Sequence, residues 1–353
     1  MQRSPRADPR ELIESLIARL IARLPAALVR ILAGRPIRMD GQQLSAEAQL
    51  AVRLVELSGG HDYSALTPAE ARQRTRRDAR VAAGRRIEIA RVTELEIPGP
   101  AGALRARLYD PGELAGQSPL IVYFHGGGHI VGDLDTHDQP CRYLAREVPA
   151  LVLAVDYRLG PEHRFPAAVD DALAAFRHAH SQAAGFGADP DRIAVAGDSA
   201  GGNLAAVVAQ LALADGGGPA PAFQALIYPV TDYSRVRGSR ELFAEGFFLT
   251  RRQMDWYRDR YLATVADRLD PRASPMLAGE LHGLAPAYVL TAGFDPLRDE
   301  GEAYAHALAA AGVEVTLRRE ADLVHGFINA IGLGGRAEEA TAALAAAFRS
   351  ALS

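Results

Sequence analysis

One serine stands in a setting suited to nucleophilic chemistry. Ser199 lies in Gly197-Asp198-Ser199-Ala200-Gly201, after an apolar run from Ile193 to Val195 and before an alanine-rich helical pattern that reaches Leu213. A strand turning this tightly into a helix brings the two backbones nearly into contact, and glycines at positions 197 and 201 leave room because they lack Cβ. The turn lifts Ser199 to the carboxyl edge of a sheet, where open α/β sheets bind ligands. The helix that follows aims unpaired N–H groups at the same place, and the Ala200 N–H can meet a developing negative charge. The five-residue pattern is common, and a serine-capped helix start is the other reading of this segment taken alone.

A serine hydroxyl is a weak nucleophile at neutral pH, so acyl transfer needs a base to take its proton and a third group to orient that base. The chain contains no lysine: all 39 basic residues are arginine. This excludes a serine–lysine dyad, a Schiff base, pyridoxal-phosphate attachment and a lysine-containing phosphate loop. Histidine is left as the base. His325, in Val324-His325-Gly326-Phe327 after the eighth predicted strand, is in a suitable strand-end loop. Asp295, in Gly293-Phe294-Asp295-Pro296 after the seventh, is the better orienter, since Asp299 and Glu300 fall on the next helix. Gly126-Gly127-Gly128, in the loop after the third predicted strand, let bare N–H groups converge on an oxyanion. A phosphate cradle is the competing reading of that triplet, but it lacks a lysine and a strand-turn-helix fingerprint. His125 is expected to brace the loop. Neither His125 nor His129 has an acidic or cysteine ligand motif nearby, so no metal is expected, and the chemistry needs no cofactor.

These residues need a scaffold. The 353 residues are 48% hydrophobic with a net charge of −4, a globular composition that gives no whole-molecule reason for binding nucleic acid. Cys141, the only cysteine, permits no internal disulfide and is expected to pack as a small apolar group. From Glu11 to Leu32, apolar residues including Leu12, Ile13, Leu16, Ile17 and Leu20 recur at helical spacing, with a break or bend expected near Pro25. Charges interrupt this segment before it reaches signal-peptide or membrane-span length, so a soluble cytoplasmic protein is expected. Its apolar face is expected to pack on the protein's own body; lying on a membrane or dimerising are the alternatives. Further helices are expected from Ser45 to Leu57 and after Thr67, where Thr67-Pro68-Ala69-Glu70 forms a capping box. From Arg86 the period becomes strand-like. Two alternating strands are followed by apolar strands at Leu120–Phe124, Leu151–Val155, Arg192–Ala196, Phe223–Tyr228, Ala287–Thr291 and Val313–Leu317, mostly with helices between. This rhythm predicts an α/β fold with a mostly parallel eight-stranded sheet flanked by helices. The aromatic stretch from about 231 to 275 is read as a helical lid, with ordinary core as the equal alternative for its aromatic side chains. Residues 1–85 would join it in a cap over the catalytic domain, 86–353.

The motifs resemble those of the hormone-sensitive lipase family of α/β-hydrolases. The matching stretches are His125-Gly126-Gly127-Gly128, Asp156-Tyr157-Arg158-Leu159, Pro161 through Ala168, Gly197 through Gly202, Asp295 through Glu300 and His325-Gly326-Phe327. The Gly-Asp-Ser-Ala-Gly form resembles the family's bacterial esterase branch. The likeness covers about residues 85 to 350 and implies an α/β-hydrolase fold with Ser199, Asp295 and His325 as catalytic triad. It also implies an oxyanion hole of Gly127, Gly128 and Ala200, with Gly126 shaping the turn. His129 stands where the family usually has an aromatic residue, a change expected to alter the alcohol side of the pocket. Glu162 and Arg164 are expected to tie their loop to the catalytic floor. The implied activity is a serine carboxylesterase acting on short- to medium-chain esters, possible as a homodimer through the last strand and helix, without integral membrane association. A lipase or amidase of the same fold, or a non-catalytic small-molecule receptor, are the alternatives.

Overall fold

The computed structural model describes residues 9–57, 59, 62–112 and 116–353. Residues 1–8 of the expected N-terminal segment, and the side chains of Pro9, Arg10 and Leu12, lie outside what is described. Four helices come first: α1 (Pro9–Ile21), α2 (Ala26–Ala33), α3 (Ala46–Leu57) and α4 (Pro68–Ala82). The break between α1 and α2 falls at Pro25, which lacks an N–H and flanks the start of α2. The capping box before α4 is present in full. Thr67 Oγ1 accepts from the Glu70 N–H, and the Glu70 carboxylate accepts from the Thr67 N–H at 2.8 Å.

The main sheet has eight strands: β1 (Arg91–Gly99), β2 (Gly102–Asp110), β3 (Ser118–Phe124), β4 (Leu151–Val155), β5 (Ala188–Asp198), β6 (Phe223–Ile227), β7 (Ala287–Phe294) and β8 (Val315–Val324). Their spatial order is β8-β7-β6-β5-β3-β4-β2-β1. β1 and β2 are antiparallel and the remaining strands run parallel, as the change of period at Arg86 predicts. Between and after the strands come α5 (Asp138–Glu147), α6 (Ala167–Ser181), α7 (Ala183–Phe186), α8 (Ala200–Ala214), α9 (Gly238–Leu242), α10 (Arg251–Tyr261), α11 (Arg298–Ala310) and α12 (Gly335–Ala351).

Strand side chains alternate between two cores. Leu120, Val122 and Phe124 of β3 belong to one core with apolar residues of α6, α8 and α11, whereas Ile121 and Tyr123 belong to the other with those of α5 and α12. Because both faces are covered, the central strands are apolar throughout instead of alternating with polar residues. Cys141 is buried in the second core as expected.

The aromatic stretch after β6 divides. Phe243 and Phe247 leave the expected lid and pack against Phe294 at the end of β7, in the main core. Trp256, Tyr257 and Tyr261 lie on α10, whose placement over the catalytic edge is described below. The N-terminal segment meets expectation in part: Ile21 and Leu24 pack with Val29, Ala33 and Leu50, but most of α1 departs from it. The apolar stripe of α1 does not pack on the body: Ile13, Leu16, Ile17 and Leu20 are 48–58% exposed, while Glu11 and Glu14 pair with Arg80 and Arg77 of α4. Helical periodicity reveals that a helix has an apolar face, but not which face the neighbouring element takes.

Candidate active site

The turn from β5 into α8 is as tight as its glycines require. A Cβ on Gly201 would lie 1.9 Å from the Phe124 carbonyl oxygen, and one on Gly197 would lie 2.3 Å from the Gly201 backbone. No larger residue fits either place. Ser199, between them, has φ +56° and ψ −114°, a conformation rarely adopted by residues with side chains and held here by the surrounding backbone. Its N–H donates to the Ile227 carbonyl and its own carbonyl accepts from the Val230 N–H, which fix the elbow to the end of β6.

Three side chains remote in sequence meet there. Ser199 Oγ lies 3.0 Å from His325 Nε2, and His325 Nδ1 lies 2.7 Å from Asp295 Oδ2. Asp295 is fully buried, and its other carboxylate oxygen accepts from the Leu297 N–H at 2.8 Å, so the carboxylate is held from both sides. The ring of Tyr228, 4.5 Å from that of His325 between centroids, supports the imidazole from the end of β6. Asp299 and Glu300 are engaged elsewhere, with Ser239 and with Thr231 and Arg240 respectively.

The glycine loop after β3 is pinned from below. Gly126 N–H donates to Asp198 Oδ1 at 3.0 Å, and a Cβ on Gly126 would lie 2.4 Å from that carboxylate. Asp198 also accepts from Tyr123 Oη at 2.8 Å and contacts His137 Nε2 at 3.2 Å. Burial pushes the Asp198 carboxyl upward, but the adjacent His137 and the Tyr123 hydroxyl outweigh it and hold the group below the usual carboxylate range. Gly127 and Gly128 take φ of +120° and +60°, and their N–H groups donate to no other described residue. Asp198 therefore couples the residue beside the serine to the glycine loop. The sequence reading quoted Asp198 as part of a motif and missed this role, and it missed His137 altogether; a buried-pair partner that arrives from another element leaves no local signal.

His125 braces the loop as expected. It stacks on Tyr157 at 4.3 Å, its carbonyl accepts from Tyr157 Oη at 2.7 Å, and burial together with His137 lowers its basicity. His129 differs from the expected pocket-lining role. It is fully buried, stacked 3.9 Å from Tyr261 of α10, and neither ring nitrogen has a partner among the described residues. Burial, with His125 nearby, pushes its pKa down to about 3, so it is a neutral aromatic plate at ordinary pH. Tyr257, one turn earlier, lies directly on Gly128, where a Cβ would come within 2.3 Å of its ring. Helix α10 thus covers the glycine loop with two tyrosines. Glu162 and Arg164 also depart from expectation. Glu162 pairs with Arg72 of α4 at 2.6 Å and Arg164 donates to the Leu262 carbonyl at 2.8 Å, so they bind the loop to the covering helices, not to the catalytic floor.

An α/β-hydrolase-fold family model matches residues 121–329, the span holding this whole constellation. The chain is 48% identical over 336 residues to the carboxylic ester hydrolase LipN of Mycobacterium tuberculosis, with 93% of this chain and 89% of the relative covered. It is 41% identical over 281 residues to an ethyl acetate hydrolase of Pseudomonas putida, covering 78% of this chain and 87% of the relative. Among solved structures, an ester hydrolase from the Lake Arreo metagenome, determined with a bipyridine phosphonate derivative, superposes with a TM-score of 0.84 at 43% identity. That match covers 87% of this chain and 98% of the other. With relatives this similar over nearly their full length, the chain belongs to the hormone-sensitive-lipase-like family of α/β-hydrolases and is a carboxylic ester hydrolase.

Proposed function

We propose that Ser199, Asp295 and His325 are the catalytic triad, that the N–H groups of Gly127, Gly128 and Ala200 form the oxyanion hole, and that the substrates are esters of short to medium acyl chain. The observation that carries this reading is the unbroken series from Asp295 through His325 to the Ser199 hydroxyl, with contacts of 2.7 and 3.0 Å. His325 Nδ1–H donates to Asp295, which fixes the tautomer and leaves Nε2 free to accept the serine proton. Ser199 Oγ attacks the ester carbonyl, and the converging N–H groups take the charge forming on its oxygen. His325 then protonates the departing alcohol. Water repeats the attack on the acyl-enzyme, releasing the acid and returning the serine proton. A small acyl group is supported by the tyrosines that cover the glycine loop and by the likeness to a relative named for ethyl acetate.

Hydrolysis of an ester series graded by acyl length, with and without a serine-directed organophosphate, tests the reading. Turnover should peak at short or medium chains and vanish on phosphylation. Activity that appears only above substrate solubility would favour a lipase. Ligand binding without turnover would favour a receptor. The same reading puts the enzyme in the cytoplasm, which its single buried cysteine suits. It also pairs two copies through β8, which ends the sheet, and α12, a state that light scattering would report.

A further inference from the structure

Helix α1 is docked with its faces reversed relative to an ordinary surface helix. Toward the body it turns carboxylates: the Glu11 side chain, 8% exposed, pairs with Arg80, and Glu14 pairs with Arg77. Away from the body it turns Ile13, Leu16, Ile17 and Leu20, which fall at i, i+3, i+4 and i+7 and so form one stripe. Helix α2 packs its own apolar face in the ordinary way but leaves a second apolar edge uncovered. Val29 and Ala33 pack on Leu50 of α3, leaving Leu28, Ile31 and Leu32 45–72% exposed. Of thirteen large apolar side chains exposed among the described residues, seven therefore lie between positions 13 and 32, a concentration that marks an interaction surface, not scattered exposure.

Charge identifies the occupant. Residues 1–38 carry eight arginines against three carboxylates, net +5, whereas the rest of the chain carries 31 arginines against 40 carboxylates, net −9. Both Glu11 and Glu14 are engaged with α4, while Arg19, Arg23, Arg30 and Arg35 are exposed. A second copy seated here would bring two cationic arms together. No helix among the described residues is long and apolar enough to cross a membrane. Apolar stripes flanked by exposed arginines fit an interface that is anionic outside and apolar within. We propose that α1 and α2 form a peripheral docking face for an anionic lipid bilayer, with the leucines and isoleucines entering the acyl boundary and the arginines meeting headgroup phosphates. The acidic remainder is repelled by the same surface, so the protein would dock by this arm alone.

The test is flotation of the full-length protein with vesicles of pure phosphatidylcholine, and with vesicles in which a quarter of the lipid is phosphatidylglycerol. The protein should float with the anionic vesicles, and less so at high salt. The pairs Leu16→Asp with Leu20→Asp, and Arg19→Glu with Arg23→Glu, should each weaken capture by more than about tenfold. Because all four side chains are exposed, thermal melting should match that of the unaltered protein and separate loss of docking from loss of fold. Failure to float, or equal flotation with neutral vesicles, overturns the proposal. So does a dimer in solution that Leu16→Asp with Leu20→Asp dissociates, since a second copy would then cover the stripe.

Discussion

The carboxyl edge of the sheet and the N-terminal arm are held by opposite means. At the edge, nearly every backbone and carboxylate is committed: the elbow glycines have no space for a Cβ, Asp295 is bonded through both oxygens, and Asp198 holds the glycine loop. In the arm, ion pairs join α1 to α4 while apolar side chains face outward. The first region is organised for a reaction that tolerates little displacement, the second for contact with something outside the molecule. Chemistry demands donors fixed within fractions of an ångström, whereas docking through apolar area needs only exposure and approximate charge.

Substitutions should separate the two regions sharply. Ser199→Ala removes the proposed nucleophile and should lower kcat on a soluble ester by on the order of 10⁶, leaving melting nearly unchanged; a loss below about tenfold would remove Ser199 from the reaction. Asp295→Asn should keep the geometry but permit the wrong imidazole tautomer, with a fall in kcat of about 10⁴ at neutral pH.

His129 sharpens the comparison through acid stability. Its pKa is near 3 in the folded protein and about 6.5 when unfolded, so above that upper value it is neutral in both states and has no effect. As pH falls from about 6.5 toward 3 the unfolded chain binds the extra proton, and stability drops by roughly 1.4 kcal/mol per pH unit. His129→Phe keeps a stacking plate without a titrating nitrogen. Denaturant melts of the two proteins should diverge below pH 6.5, the variant losing less stability; parallel curves would place the histidine's protonation in the folded state as well.

Asp198→Asn keeps the shape but removes the charge facing His137. We expect a loss of about 10-fold to 100-fold in kcat with KM little altered, because the loop proposed to receive the oxyanion loosens while the substrate contacts remain. At the small end, Leu20→Ser in the arm should shift stability by no more than about 0.5 kcal/mol, since its side chain is already 55% exposed. A larger fall would mean that the stripe is packed on the body after all.

How much was legible before the fold was known follows the same division. The strand positions could be read because β-branched apolar runs bounded by turn residues are local signals, and Leu151–Val155 is recovered residue for residue. The expected site residues could be read because each stands at the end of a strand, and parallel strands deliver their ends to one edge. Asp198 with His137, and Tyr257 over Gly128, could not be read, since each pairing joins elements far apart in the chain. Phe243 and Phe247 were ambiguous for a related reason: an aromatic run announces burial without saying against which neighbour.

The layered α/β architecture, the tight serine turn and the candidate base and orienter follow from the order of residues alone, because backbone sterics, glycine's missing Cβ and hydrophobic period act over a few residues. That α10 lies on the glycine loop, that His129 is buried against Tyr261, and that α1 turns its apolar stripe to solvent emerge only in the folded chain. Those outcomes depend on which surfaces meet, and that is a competition among all elements of the chain, not a property of any one of them.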